Sequence, residues 1–357
     1  MKCPICETYR WKDPQEIVWK SPQNGKGYCV FHAPREGKCK SLGSLECFSG
    51  EEFNELVFKR IDQTLCVAGQ VCDLMLTIFP TGIWFTRYGS SNPLPPLKLS
   101  GAKFLENVNF DSAKFSRIAA FDGVTFSKEA TFWNARFEDV TFNGAHFCGD
   151  VTFAETQIKG LAVFKNVVAD RKVVFGTDFY GEVLFGNAEF NGAVVYKNTN
   201  FFDAAQFEST KFLQVVRFKQ VSFHRESNFS KSVLKRGGDF STIQFDGVAN
   251  FLNIECTIGR AISFEGLARE SMEYLLFTEK ELRKFEFHDC QWPCRLCLDI
   301  CSEYTEIKLS SCKDLYMALK QRAASELDQS YVSQWHFREK FMSEMRWPEV
   351  SLAMGMP

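Results

Sequence analysis

The sequence predicts an all-β solenoid, a rod of stacked square coils, with a small metal-binding cap at one end and a helical hairpin at the other. Three observations lead there. Phenylalanine is heavily used, with 37 in 357 residues. Its spacing is regular through the middle of the chain. Close Cys/His pairs sit ahead of that stretch and further cysteines follow it. A composition of 45% hydrophobic and 24% charged residues is that of a globular protein and excludes disorder as the main state. The formal charge of −2 exerts no general pull on nucleic acid or anionic membrane. The start has no apolar core of signal-peptide length, and the apolar stretch from Val71 to Phe85 is broken by Asp73 and Pro80. A cytoplasmic, non-spanning protein is expected.

The first segment, 1–48, carries Cys3-Pro-Ile-Cys6 and Tyr28-Cys29-Val-Phe-His32. Two close pairs of soft or borderline ligands, Cys3, Cys6, Cys29 and His32, suit tetrahedral zinc. Four protein ligands leave no position for water, so one structural ion is expected, not a hydrolytic one. The segment is too polar to build a core without it. Cys39, Cys47, Cys66 and Cys72 lack such spacing and read as ordinary thiols, with participation of Cys39 or Cys47 in the metal site as the alternative. A helix and linker follow over 49–70, with Phe53, Leu56, Val57, Phe58 and Ile61 largely on one face. This helix would cover the open sheet edge of the first coil.

The repeat runs over 71–292. Its inward ladder is Phe104, Phe110, Phe115, Phe121, Phe126, Phe132, Phe137, Phe142, Phe147, Phe153, then Phe207, Phe212, Phe218, Phe223, Phe229, Phe240, Phe245 and Phe251. Ile158, Ala169, Tyr180, Tyr196 and Leu234 fill the same register, which blurs only around 165–185. Two residues before most of these positions stands a small or β-branched residue, as in Ala102, Val108 and Ala113. Neither a helix, returning every 3.6 residues, nor a strand, returning every two, makes a beat near five. If each unit is one side of a square coil, the large residue and the small one two before it both point inward. Successive coils then stack at about 4.8 Å, with aromatic rings on aromatic rings.

Beyond Trp292-Pro293 lies a cysteine-rich connector, 293–312, then a helical hairpin, 313–346, and a tail, 347–357. Cys290, Cys294, Cys297 and Cys301 are either a second metal set or buried thiols, and Cys290 at a small inward repeat position favours the second reading. Leu315, Leu319, Ala323 and Leu327 form a stripe answered by Tyr331, Trp335 and Met342.

On these residues the chain resembles the pentapeptide-repeat family, in particular its Phe-centred branch, as in Phe132-Trp-Asn-Ala-Arg-Phe137. The resemblance implies a right-handed quadrilateral parallel β-helix of about ten coils. It extends to the CPxC…YCxFH start, and to a hairpin with Leu315-Tyr-Met-Ala-Leu-Lys320 and Glu339-Lys-Phe-Met342. Transmembrane helices follow the hairpin in many relatives; this chain ends at Pro357 without one, which argues against a membrane role.

No GxSxG, HExxH or phosphate-loop signature occurs. His146 and His224 fall at outward repeat positions, so no catalytic residue is named and an enzyme is not expected. The leading expectation is a scaffold that binds a protein partner through the faces of the rod. Some relatives act as duplex mimics on type II topoisomerases, so the resemblance supplies an alternative. Residues 101–270 carry 19 basic and 20 acidic residues, without the strong negative charge a mimic needs. A further alternative is nucleic-acid binding by the zinc segment through Lys12, Lys20, Lys26, Arg35, Lys38 and Lys40. Nucleic acid and membrane are not the expected partners; the oligomeric state is open, a dimer included.

Overall fold

A computed structural model describes residues 2–11, 15–66, 69–257, 259–300, 309–325 and 328–344. Short strands stack in parallel register into long sheets that form the sides of a four-sided coil. One side begins at Cys72–Asp73 and ends at Leu275–Leu276; its ten strands are the ten coils of the solenoid. A second side runs from Ile78–Phe79 to Glu255–Cys256, and a third from Ile83–Trp84 to Phe285–His288. The fourth side joins the third in mid-rod. There the strands Val151–Ile158, Val173–Phe179, Val194–Phe201 and Val216–Phe223 bend round the corner as single elements. At the sheet spacing, ten coils make a rod of about 45 Å.

The pairing register puts every rung directly over its predecessor. Phe126 pairs with Phe104 below and Phe147 above, and Val140 lies between Ala119 and Ala162. The rings therefore stack, 4.6–5.2 Å apart along Phe121, Phe142, Phe164, Phe185, Phe207, Phe229 and Phe251. All eighteen Phe residues of the expected ladder are buried, none more than 2% exposed. Corners are turned by residues with positive φ two positions after an inward residue. Ser112, Asn134, Asn166, Asn187, Asn198 and Ser209 hold φ of 52–59° there. Short polar side chains tolerate this left-handed region better than β-branched ones. Buried hydroxyls close the remaining backbone gaps: Thr156 and Thr177 donate to the carbonyls of Phe132 and Phe153, both at 2.8 Å.

One rung departs from the expected register. Val173–Phe179 has seven residues where its neighbours have eight, so the corner is one residue shorter. Phe179 takes the inward place, pairing with Ile158 and Phe201. Tyr180 is turned outward instead, 46% exposed, and begins an external stack with Phe202 and His224.

At the amino-terminal end, α1 (Pro4–Thr8) and a hairpin of Ile17–Lys20 with Gly27–Cys29 lead to α2 (Gly50–Leu65). A capping box starts α2: Glu52 N–H donates to Ser49 Oγ and Ser49 N–H to Glu52 Oε2. Its buried face is Phe53, Val57, Phe58 and Ile61, with Leu56 only partly covered. At the other end, α3 (Arg269–Glu273) and α4 (Glu279–Leu282) fill the last coils, and α5 (Cys297–Ile300) leads toward the hairpin. The hairpin itself is α6 (Leu309–Ser325) and α7 (Gln329–Glu344). Leu315, Tyr316, Leu319, Ala323 and Trp335 are buried between the hairpin and the rod. Gln334 Nε2 donates to the Pro293 carbonyl at 2.7 Å, and Lys320 pairs with Glu339 across the two helices. Leu327 and the Met342 side chain lie outside the described residues.

Candidate metal centre and rod faces

The two amino-terminal pairs converge. The first turn of α1 places Cys3 and Cys6 side by side, and the tight turn after Gly27–Cys29 returns His32 to Cys29. Cys6 Sγ lies 3.7 Å from Cys29 Sγ, and His32 Nδ1 lies 3.5, 3.5 and 3.2 Å from the sulfurs of Cys3, Cys6 and Cys29. Zinc bond lengths of about 2.3 Å to sulfur and about 2.0 Å to nitrogen give tetrahedral edges of about 3.8 Å and about 3.5 Å. The four donors thus stand on the corners of a tetrahedron that fits such an ion, and all four are buried. They could hold a metal ion as a closed set.

The neighbours of the centre serve the same end. His32 Nε2 faces the carbonyl of Met75 at 3.1 Å. Donation there fixes the tautomer that leaves Nδ1 free to ligate. Burial pulls His32 down, but hydrogen bonds from Cys29 and Cys3 outweigh it and hold the imidazole at about 9. Hydrogen bonds from Cys29 and Cys6 draw the Cys3 thiol far down, while those from Cys29 and Cys3 push Cys6 up. Crowded sulfurs of this kind share negative charge, which a cation relieves.

Lys38 was not singled out by its spacing as part of this centre, yet it supports it. Its Nζ is buried, donates to the Val30 and Phe31 carbonyls, and sits 4.3 Å from the Phe53 ring. Burial lowers it to about 7, against an upward pull from Cys29. The centre is also tied to the rod. Ile78 N–H donates to the Phe31 carbonyl at 2.9 Å, and rings run from Phe31 through Phe53 and Phe79 to Phe104. Of the other basic residues in the segment, Lys40 is paired with Glu46 and Glu52, and Arg35 with Glu106.

Among the described residues, the connector cysteines do not form a comparable set: Cys290, Cys294 and Cys297 form no three-donor group. Cys290 Sγ is turned to the carbonyls of His288 and Phe264, Cys294 is exposed and Cys297 buried. Cys301 lies outside the described residues. Cys39 and Cys47 face each other across an antiparallel bridge, sulfurs 3.5 Å apart, away from the four-donor centre.

The rod faces carry ladders as regular as the core. Ion pairs join residues one coil apart: Lys159 with Glu138 at 2.9 Å, Lys211 with Glu189 at 3.3 Å, Lys231 with Glu208 at 2.8 Å. On the first side, the outward column from the third rung is Ala120, Thr141, Val163, Leu184, Gln206, Asn228 and Asn250, all uncharged and half-buried. Among the described residues, no helix is long and apolar enough to cross a membrane.

A four-sided parallel coil with an aromatic inner ladder at a five-residue step defines a repeat solenoid. The family described as pentapeptide repeats, nine copies, matches residues 99–146. The strand register extends the same geometry on both sides of that stretch. No curated protein matches the chain.

Proposed function

We propose that the chain is a non-enzymatic scaffold, its cap held by one structural zinc ion, that binds a protein partner on the flat first side of the rod. The observation that supports this reading is the uncharged outward column from Ala120 to Asn250, seven rungs long. A rigid, neutral, half-apolar strip offers area to a partner without the cost of stripping water from charges. Its backbone cannot rearrange, because each rung is hydrogen-bonded to the next, so little entropy is lost on docking. Glu138, Glu189 and Glu208 are each matched by a lysine one coil away, and the near-balance of basic and acidic residues along the rod argues against a duplex mimic.

Nuclease-treated cross-linking capture from the native cell tests the reading. Val163→Arg with Leu184→Arg should cut recovery of the partner at least tenfold, while Val174→Arg with Val195→Arg on the third side should leave it unchanged. Equal recovery with both variants, or no protein captured by a folded chain whose cellular effect survives the first-side change, would sink it. A type II topoisomerase in the capture would favour the mimic instead.

A further inference from the structure

We propose that His146, Cys148 and Asp170 form a second, solvent-open site for one borderline divalent cation such as zinc, on the flank of the rod. His146 is the outward residue of the strand His146–Phe147, and Cys148 follows it at the corner. Phe147 pairs in register with Ala169 of the next coil, so Asp170 stands one rung above Cys148. Both corner residues are fixed by their backbones: Cys148 N–H donates to Phe126 O at 2.8 Å and Asp170 N–H to Phe147 O at 2.9 Å.

The donor atoms meet at one point. His146 Nε2 lies 2.7 Å from Asp170 Oδ2 and 3.8 Å from Cys148 Sγ, and all three donors lie within 4.8 Å of one another. Tetrahedral zinc with these ligands has edges of about 3.4–3.6 Å, so side-chain adjustments of at most about 1.2 Å suffice. Asp170 and Cys148 approach the same ring nitrogen. A nucleophile relay needs the thiol and the carboxylate on opposite nitrogens of the imidazole, so that chemistry is excluded by the geometry. A cation in place of the shared proton satisfies all three: as the ion binds, the thiol proton passes to water, and the neutral imidazole carries its remaining proton on Nδ1, any proton lost from Nε2 passing to water.

A supporting contact completes the arrangement. Asn191, one coil further on, donates from Nδ2 to Asp170 Oδ1 at 2.9 Å and leaves Oδ2 for the ion. The rod contains its own comparison: His224 pairs with Asp246 at 2.9 Å, but no cysteine joins them in a three-donor group. With three protein ligands, His146, Cys148 and Asp170 leave one coordination position to solvent, unlike the closed set in the cap.

The test uses the full-length chain, stripped under reducing conditions, reloaded with Zn²⁺ and dialysed, with metal content measured per chain. Wild type should hold one ion more than the Cys148→Ser, Asp170→Asn double variant, and His224→Ala should match wild type. Cobalt loading should show thiolate charge-transfer absorbance that falls in the double variant. Asn191→Ala should weaken zinc binding by about tenfold, the effect typical of a residue that orients a ligand. Far-UV circular dichroism confirms that the variants fold. Equal content and equal affinity in wild type and double variant would overturn the proposal, whatever the absolute number, because failure of the cap to bind metal lowers both alike.

Discussion

Phe132→Ala is the sharpest test of how the rod is held together. Phe132 is fully buried, with Phe110 stacked on one face at 5.1 Å and Phe153 on the other at 4.8 Å. Phe121 and Phe142 meet it edge-on at 5.8 and 5.5 Å. Truncation of a buried Phe costs about 3–5 kcal/mol, the spread reflecting how far the site can collapse. Here collapse is blocked, since Phe110 N–H is bonded to Thr131 O at 2.8 Å and Phe132 N–H to Thr152 O at 2.9 Å. Two lost stacking contacts add to the cavity. The expected loss is therefore at the upper end, about 4–5 kcal/mol. Trp133→Ala, one residue on and 43% exposed, should change stability by no more than about 0.5 kcal/mol. Urea unfolding followed by circular dichroism gives both values. Because solenoid stability is a sum of coil interfaces, amide exchange should quicken first over 110–153 and stay slow over 207–251. A loss below about 1 kcal/mol for Phe132→Ala, or an equal loss for Trp133→Ala, would refute the stacked-core argument.

Gly192→Ala should cost about 1–3 kcal/mol, because a Cβ there would lie 2.1 Å from the Arg171 carbonyl oxygen. Gly186→Ala, with Glu208 O at 3.7 Å, should be nearly neutral; equal Tm shifts for the two would contradict the close-approach reading. Chelation, or Cys29→Ser with His32→Ala, should open Lys20, Lys26 and Arg35 to trypsin while the coils beyond residue 97 stay resistant; unchanged digestion would remove the metal from the account of the cap. Asp328 caps α7 by accepting from the N–H groups of Ser330 and Tyr331 at 3.1 and 3.3 Å. Hydrogen bonds from the Ser330 side chain and then the Tyr331 backbone hold its carboxyl below the ordinary 3.8. Its contribution is thus full above that value and lost as pH falls through the lower, folded one. Hairpin helicity should decline with acid in wild type, and Asp328→Asn should abolish that part of the decline.

The sequence was most legible where one periodicity dominates. A step of five or six fixes which side chains are enclosed, and Phe121, Phe142 and Phe153 are enclosed as the spacing requires. Tyr180 shows the limit. The beat tells how many residues a side takes on average, but the shortened corner of Val173–Phe179 is a local deletion that only pairing with Ile158 and Phe201 resolves. The four-donor cluster of the cap was legible for a different reason, because two short-range pairs need little of the fold to be recognised. Lys38 was not, since its partners are backbone carbonyls, which no sequence pattern marks. The connector cysteines had a suggestive spacing, yet Cys290 turns its sulfur to carbonyls of its own and the preceding coil.

His146, Cys148 and Asp170 sit between these cases. A coil of 21 or 22 residues places i over i+22, the same arithmetic that stacks Phe110 on Phe132 and pairs Lys211 with Glu189. Applied to outward residues, it sets Asp170 over Cys148, with His146 two residues before Cys148, and so signals a donor set before any coordinate is known. In a solenoid the surface has the same register as the core, so chemistry distant in sequence is assembled by counting coils. The core constrains that counting, because a one-residue slip would turn a buried ring outward along with every surface pair on its rung. Selection for packing therefore preserves the geometry of whatever the outer faces carry. New sites can arise on such a rod by single substitutions at corner positions, with neither the fold nor the neighbouring coils altered.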